Sequence, residues 1–402
     1  MSETKLSERI HAVVEELRLL NFRAFGRARL RFSDLTFLVG RNGAGKSSIL
    51  DAVALLREAV TDNLENALDR RGGLLKVRCR SHREPAGSLG VAVVFRLRLP
   101  GGRRTRAIYG FELLGEAGTA SYQVRECLKL YPEGASFFER RDDQFEAAQR
   151  TGVAPPPGNL VLPLIGRSDS VWEAVYEAAR RMRTYDLLPG AMAESSKIGP
   201  GTYLESDGTN AGDALKAVEG TPDHRWVDEH LAALTPGLEH VRTEVVLGRR
   251  VLTFTQVQND VGLDYDASQM SQGTLRSLGI LLAMRQQPTP SLVLVDEVEN
   301  SVHPSALGVL LDAAQASKDR VPIVFTTHSP EVLDHRAATG ERIRVVEWRD
   351  GTSVVYRLNA ETASAVSEIE TVGSMLRSNM LWPEDQPGTW TDDLFALEGS
   401  DG

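Results

Sequence analysis

A lysine and a serine close a glycine-rich turn near the start of the chain, Gly40-Arg41-Asn42-Gly43-Ala44-Gly45-Lys46-Ser47-Ser48. The spacing is G-x-x-x-x-G-K-[ST], in which backbone N–H groups curl round a phosphate chain. Glycine suits such a turn because the backbone must adopt left-handed conformations and come close to an anion. The Lys46 ammonium can reach β- and γ-phosphates, and the Ser47 hydroxyl can ligate Mg²⁺. The apolar run Phe37-Leu38-Val39 predicts a strand before the turn. Ile49, Leu50, Ala52, Val53, Leu55 and Leu56 predict a helix to about Ala59, whose positive end adds to the anion site. Alone, this stretch says that a nucleotide phosphate is held.

Three further groups can act on such a phosphate. The continuous apolar run Ser291 to Val295 reads as a strand buried on both faces of a parallel sheet, and it ends in Asp296-Glu297. A carboxylate at the carboxyl end of a central strand suits Mg²⁺, and a second one beside it can polarise an attacking water. His328 follows a second buried run, Val321 to Phe325, and can donate to a γ-phosphate. Ser271-Gln272-Gly273 opens an apolar helix running to about Met284, a second anion-binding helix start. One chain has one γ-phosphate to bind, so this second start needs another explanation.

The elements that must position these groups follow from pattern. Val13 to Phe22 and Arg27 to Phe32 read as strands joined by a turn near Gly26. A polar, charged stretch covers Thr61 to Arg71. Val91 to Leu99 and Arg103 to Leu114 form a hairpin across Pro100-Gly101-Gly102, and Ala120 to Leu130 adds a strand, giving an antiparallel meander. From about Pro132 to His240 the pattern turns helical, with Val171 to Met182 at helical spacing, two shorter helices at Ala214 to Val218 and Arg225 to Leu234, and breaks at Val153–Gly158 and Gly199–Gly201. Val241 to Leu247 and Val251 to Phe254 make a second hairpin, a helix follows Pro304, and Arg342 to Trp348 pairs with Thr352 to Leu358 across Asp350-Gly351. Thr362 to Leu376 reads as helix, and the acidic tail from Trp382 as loose.

Composition bounds the rest. At 402 residues, 42% hydrophobic and 25% charged, the chain can bury a large core. It has no apolar run of membrane-spanning length and no apolar signal core in Met1-Ser2-Glu3-Thr4-Lys5, so a cytoplasmic protein away from membranes is expected. Cys79 and Cys127 lack a C-x-x-C partner and are expected to be reduced, partly buried thiols. A net charge of −9 argues against a protein coated in basic surface, though not against a local basic patch. Two basic clusters stand out: Arg96, Arg98, Arg103, Arg104 and Arg106 on the meander, and Arg180, Arg181 and Arg183 on the helical stretch. Each is either a contact for DNA phosphates or a solvated face paired with nearby acids.

The order of phosphate loop, Ser-x-Gly-Thr, strand-Asp-Glu and strand-His resembles ABC-type ATPases of the SMC/RecF class. It is most similar to a compact branch that includes the ATPase subunits of anti-phage defence systems and the ATPase half of overcoming-lysogenisation-defect nucleases. The resemblance rests on Asn21-Phe22, Asp207-Gly208-Thr209-Asn210, Ser271 to Arg276, Asp296 to Pro304 and Thr327-His328-Ser329-Pro330, and spans about residues 14 to 380. It implies an α/β fold: a P-loop ABC-type head with a mixed central sheet, an antiparallel β-subdomain and a helical insertion. Its boundaries would be an N-terminal lobe over 1–131, the insertion over 132–240, a C-terminal lobe over 241–380 and a flexible acidic tail over 381–402.

The resemblance further implies ATP and Mg²⁺ as cofactors, held by Asn42, Gly43, Ala44, Gly45, Lys46, Ser47 and Ser48. Asp296 would join Ser47 on Mg²⁺, Glu297 would activate water, and His328 would sense the γ-phosphate, with Lys46 acting on the same group. Ser271 and Gly273 would contact the ATP of a second copy, and Asn300, Ser301 and His303 would lie at that interface, giving a homodimer or a multiple of it. Where the branch reads Glu-Asn-Gly-Leu-His-Pro, this chain reads Glu-Asn-Ser-Val-His-Pro, which puts a side chain at Ser301. Gln123 is the candidate for the glutamine linking nucleotide to lobe movement, against an ordinary surface strand residue. Phe22, Arg23 and Arg41 are candidates near the adenine. No heptad region, Cys-x-x-Cys hook or nuclease motif is visible, so a separate effector, a nuclease or toxin, is expected as partner. The function expected is an ATP-hydrolysing, ATP-dimerised regulator or scaffold in anti-phage defence. The alternatives are a RecF-like repair ATPase that binds DNA and an assembly scaffold in which hydrolysis is incidental.

Overall fold

A computed structural model describes residues 10–80, 87–116, 118–131, 136–142, 144–148, 158–199, 203–368, 371–378, 381, 384 and 393–396. Short apolar runs give its strands: β1 (His11–Phe22), β2 (Phe25–Arg31), β3 (Leu35–Val39), β4 (Ser88–Arg98), β5 (Arg104–Leu114), β6 (Gln123–Tyr131), β7 (Phe138–Arg141), β8 (Gln144–Ala147), β9 (Met182–Tyr185), β10 (Ser196–Lys197), β11 (Leu238–Val246), β12 (Arg249–Gln258), β13 (Val261–Asp266), β14 (Leu292–Val295), β15 (Ile323–Thr327), β16 (Ile343–Arg349) and β17 (Thr352–Tyr356). Thirteen of them form one mixed sheet in the order β8-β7-β6-β5-β4-β1-β2-β17-β16-β3-β15-β14-β9. The half from β8 to β2 is antiparallel. The half from β16 to β9 is parallel. A smaller sheet runs β10-β12-β11, with β13 on β12.

The parallel strands are continuous apolar runs because helices cover both their faces. Side chains alternate between two cores. Leu38, Leu292 and Leu294 point to one, which holds the Lys46–Thr61 and Ser170–Arg180 helices. Phe37, Val39, Val293 and Val295 point to the other, which holds the helices Ala211–Val218, Pro222–Leu234, Gln272–Arg285 and Pro304–Ser317. The Gln272–Arg285 helix is buried at every position from Thr274 to Met284. It runs through the protein rather than lying on it.

The α/β class and mixed sheet agree with expectation, and both cysteines are free and buried. Several local readings need correction. The β1–β2 turn sits at Arg23-Ala24, with Asn21 and Arg23 in left-handed conformations, and not at Gly26. The polar stretch 61–71 contains a short helix, Leu64–Asp69, capped by the Asn63 side chain accepting from Asn66 N at 2.7 Å. The region 132–240 is not purely helical: β7 and β8 extend the meander, and β9 pairs with β14 in the main sheet. Periodicity missed β9 because four residues carry no detectable period. Where one helix is expected over Thr362 to Leu376, two are found, Ala360–Glu368 and Val372–Arg377.

The tail, expected to be loose, packs where it is described. Leu394 and Phe395 are buried against Ala92, Val94, Ile108 and Cys127. Arg18 donates to the Leu394 carbonyl at 3.0 Å, and Arg125 pairs with Asp393 at 2.9 Å. The expected breaks at residues 153–157 and 200–201 lie outside the described residues.

Candidate functional site

The glycine-rich turn lands on the β16–β17 hairpin. Gly40 passes so close that a Cβ there would lie 2.3 Å from the Val346 carbonyl oxygen, a distance no side chain tolerates. Gly45 has φ +109°, and a Cβ there would meet Ser353 Oγ at 2.7 Å. These two glycines are therefore required by contact and by backbone. Asn42, Gly43 and Ser47 are exposed, Ser48 is half-buried and Ala44 is buried.

Lys46 is buried, and its Nζ donates to the Gly40 carbonyl at 2.6 Å and the Arg41 carbonyl at 3.2 Å. Burial pushes the ammonium below its usual range, while the carboxylates of Glu297, Asp296 and Glu299 pull it back up. The cation is thus held beside the loop and faced by three acids.

The parallel register pairs Val295 with Phe325, so Asp296 and Thr326 emerge side by side. Thr326 Oγ1 donates to Asp296 Oδ1 and accepts from Glu297 N. Ser47 Oγ donates to Asp296 Oδ2 at 2.9 Å, which brings the start of the loop helix onto the end of β14. Neighbouring ligands of an octahedral Mg²⁺ at about 2.1 Å would be about 3 Å apart. The Ser47–Asp296 pair has that separation, so these residues fit the ion.

Glu297 follows in a left-handed conformation, φ +43°, which for a non-glycine costs about 1–3 kcal/mol and turns its carboxylate out of the strand line. Asn300 Nδ2 donates to Glu297 Oε2 at 3.1 Å. His328 Nδ1 lies 4.0 Å from Glu297 Oε1 and 3.2 Å from Glu299 Oε1. Glu299 Oε1 also accepts from Thr327 Oγ1 and His328 N, both at 2.9 Å. Glu299 thereby orients the His328 turn.

Ser271 caps its helix by accepting from Thr274 N at 3.1 Å. Ser271 is exposed, and Gly273 lies against the next loop: a Cβ there would be 2.8 Å from the Ser301 carbonyl oxygen. Ser301 has φ +58°, the conformation that glycine favours, so the side chain leaves the turn's shape intact. Among the described residues no hydrogen bond joins Ser271 or Gly273 to the loop Gly40–Ser48. They reach the acidic strand end through Arg276, which donates to the carbonyls of Leu187, Asp296 (2.8 Å) and Glu297 (2.9 Å).

Sequence reasoning gave no role to Arg276, Thr326 or Glu299. Arg276 left a signal, since a charge in an apolar helix needs partners once buried. Gln123 is in β6, seven strands from β3, and has no place near the loop. Phe22 is buried in the core and so is not free for an adenine ring, while Arg23 is exposed and pairs with Asp51, and Arg41 is exposed beside the loop. The Arg180–Arg183 cluster dissolves: Arg180 pairs with Glu177, while Arg183 is buried under Tyr203, 3.6 Å from its ring centre.

Comparison with known proteins agrees with this architecture. Residues 35–334 match the family described as "AAA domain, putative AbiEii toxin, Type IV TA system". The Retron Ec83 probable ATPase of Escherichia coli is 23% identical over 380 residues, covering 79% of this chain and 69% of that protein. An Smc head bound to the C-winged helix domain of ScpA superposes with TM-score 0.55 at 17% identity, over 87% of this chain and 99% of the other. An Smc head from Pyrococcus furiosus with an extended coiled coil, bound to the C-terminal domain of ScpA, gives 0.56 at 14% identity, over 89% and 99%. The fold is therefore that of an SMC head. Since the family match takes in 300 of 402 residues, the protein belongs to this AAA-domain family of putative AbiEii type, in the AAA/SMC-like ATPase class.

Proposed function

We propose that the chain hydrolyses ATP with Mg²⁺ at sites shared between two copies of itself, and that the resulting dimer controls a separate effector in the cytoplasm as part of anti-phage defence. The observation that carries this reading is the meeting of Ser47 with Asp296 at 2.9 Å, with Glu297 and His328 alongside. Lys46, already beside the loop, would exchange its two carbonyl partners for phosphate oxygens. Ser47 and Asp296 would hold Mg²⁺, which neutralises charge on the β- and γ-phosphates. Glu297 would take a proton from the attacking water as general base, its other oxygen steadied by Asn300. His328 would donate to the γ-phosphate, oriented by Glu299.

The Ser271–Gly273 helix start, exposed at Ser271 and Gln272, has no phosphate of its own chain to bind. In this reading it meets the nucleotide held by a second copy, and the adjoining exposed Asn300, Ser301 and His303 line the contact. Effector control and defence are supported by likeness to the retron ATPase and by the family's toxin-system description. Glu297→Gln tests the mechanism. Turnover should fall by about 10²- to 10⁴-fold, the usual worth of a general base, while ATP binding persists and mass measurement finds the dimer with ATP and Mg²⁺. Unchanged turnover would remove Glu297 from its role, and a monomer in every condition would remove the shared site.

A further inference from the structure

Three side chains with metal-ligating atoms meet away from the ATP site, between the Pro222–Leu234 helix and β11. His224 and Asp228 are four residues apart on the helix, so they share one face of it, a turn apart. His240 comes from β11. Each of the three offers a ligand atom within 4.8 Å of the other two. His240 Nδ1 donates to Asp228 Oδ2 at 2.6 Å, and His224 Nε2 lies 3.7 Å from the same oxygen. Asp228 Oδ1 is engaged separately, accepting from Val241 N at 3.0 Å. The carboxylate is thereby fixed with one oxygen between two imidazoles, whose ring centres are 5.0 Å apart.

The spacing suits an ion. Ligands about 2.1 Å from a tetrahedral Zn²⁺ stand about 3.4 Å apart. The 2.6 and 3.7 Å separations around Asp228 Oδ2 bracket that value. His224 is buried; its Nε2 donates to the Val241 carbonyl at 2.7 Å, and its Nδ1 accepts from Gly220 N at 3.3 Å. To ligate through Nε2, His224 must carry its proton on Nδ1 instead, which gives up the long bond from Gly220. His240 must likewise carry its proton on Nε2. His240 is partly exposed, so that proton can meet water, and water can complete the shell of an ion entering from that side.

We propose that His224, Asp228 and His240 bind one divalent transition-metal ion, Zn²⁺ being the best match, at a site separate from the nucleotide. Two imidazoles and a carboxylate suit Zn²⁺ or Co²⁺, whereas Mg²⁺ takes oxygen ligands. The ligands are His224 Nε2, Asp228 Oδ2 and His240 Nδ1. The ion pins β11 to the Pro222–Leu234 helix. Val227 and Leu231 of that helix share a core with Leu275 and Leu278 of the Gln272–Arg285 helix. Thr235, just past its end, meets Thr274 with 3.1 Å between hydroxyl oxygens. Occupancy therefore stiffens the layer on which the Ser271–Gly273 helix start rests.

The test uses the full, metal-stripped chain without nucleotide, in excess Mg²⁺ so that oxygen-ligand positions are already filled. Zn²⁺ at about 100 times its Kd should raise the melting temperature of this 402-residue chain by about 3 °C. Titration calorimetry with Zn²⁺, and visible absorption with Co²⁺, should each give one ion per chain. His240→Ala, at a partly exposed position, should melt like wild type without metal. Its Zn²⁺ affinity should fall by more than about 100-fold, because partners one shell further out already contribute about 10- to 100-fold. Asp228→Asn keeps an oxygen to accept from Val241 N, and it repeats the test if the first variant folds poorly. A wild-type chain whose melting Zn²⁺ leaves unchanged would overturn the proposal. So would equal Zn²⁺ affinity in wild type and both variants, which would put the ion elsewhere.

Discussion

Arg276→Lys isolates the coupling between the Ser271–Gly273 helix and the acidic strand end. Arg276 is 2% exposed, and its fork holds the carbonyls of Leu187, Asp296 and Glu297. Each such bond to a charged donor contributes about 1.5–3 kcal/mol. A lysine keeps the charge but lacks the planar fork, so at least one carbonyl loses its partner inside the protein. The expected loss is about 2–3 kcal/mol. Unfolding entropy of about 2.1 cal/mol/K per residue, over 402 residues, is about 0.8 kcal/mol/K, so the melting temperature should fall by about 3 °C. The larger effect should be on chemistry. With the fork gone, Glu297 and Asp296 are set less firmly against Ser47, and misplacement on the ångström scale can cost about 10²-fold. Calorimetry and steady-state ATP turnover on the same preparation read both effects, with ATP binding measured separately. A variant that melts and turns over like wild type would refute the coupling.

Two further expectations concern stability. Ser301 occupies a left-handed turn, so Ser301→Gly should melt no lower than wild type, whereas β-branched Ser301→Val should lose about 1–2 kcal/mol, or about 2 °C by thermal unfolding. A valine variant as stable as wild type would show that the turn does not hold that conformation. Glu126 is wholly buried; burial raises its pKa from 4.5 to about 7, against the pull of the Val161 and Leu162 N–H groups and the Tyr109 hydroxyl. Between those values the folded state binds more protons than the unfolded chain, so stability falls as pH rises from about 4.5 to about 7 and is flat beyond. The difference between wild type and Glu126→Gln should therefore shift against wild type by an order of about 3 kcal/mol between pH 5 and pH 8, read by denaturant titration at each pH. A constant difference would mean that Glu126 titrates normally.

Much of the site was legible because its parts are local. The loop, the Ser-Gln-Gly-Thr helix start and Asp296-Glu297 after its strand each depend on residues within a dozen positions. Glycine conformation, hydroxyl caps and a continuous apolar run act at that range. Gln123 failed as a candidate for the opposite reason: strand composition shows that a strand exists but not how many strands away it pairs. The Arg180–Arg183 run failed because residues adjacent in sequence leave a helix end in different directions, Arg183 turning under Tyr203 while Arg180 stays outside. The tail looked loose by composition, yet Leu394 and Phe395 bury against the face of β4–β6 that carries Ala92, Val94, Ile108 and Cys127.

By itself, then, the chain's sequence determined the phosphate loop, the acidic pair, the second helix start and the α/β class. These rest on short-range spacing. Strand order alone decided that Ser47 meets Asp296, because β15 lies between β3 and β14 and the loop helix crosses above it. Burial of the Gln272–Arg285 helix decided that Arg276 would join that helix to Asp296 and Glu297, since a guanidinium inside the core must take whatever carbonyls the packing offers. Pairing of β4 with β5 decided that the arginines at 96, 98 and 104 share one face. Such contacts join residues tens to hundreds of positions apart, and only the folded sheet brings them within reach.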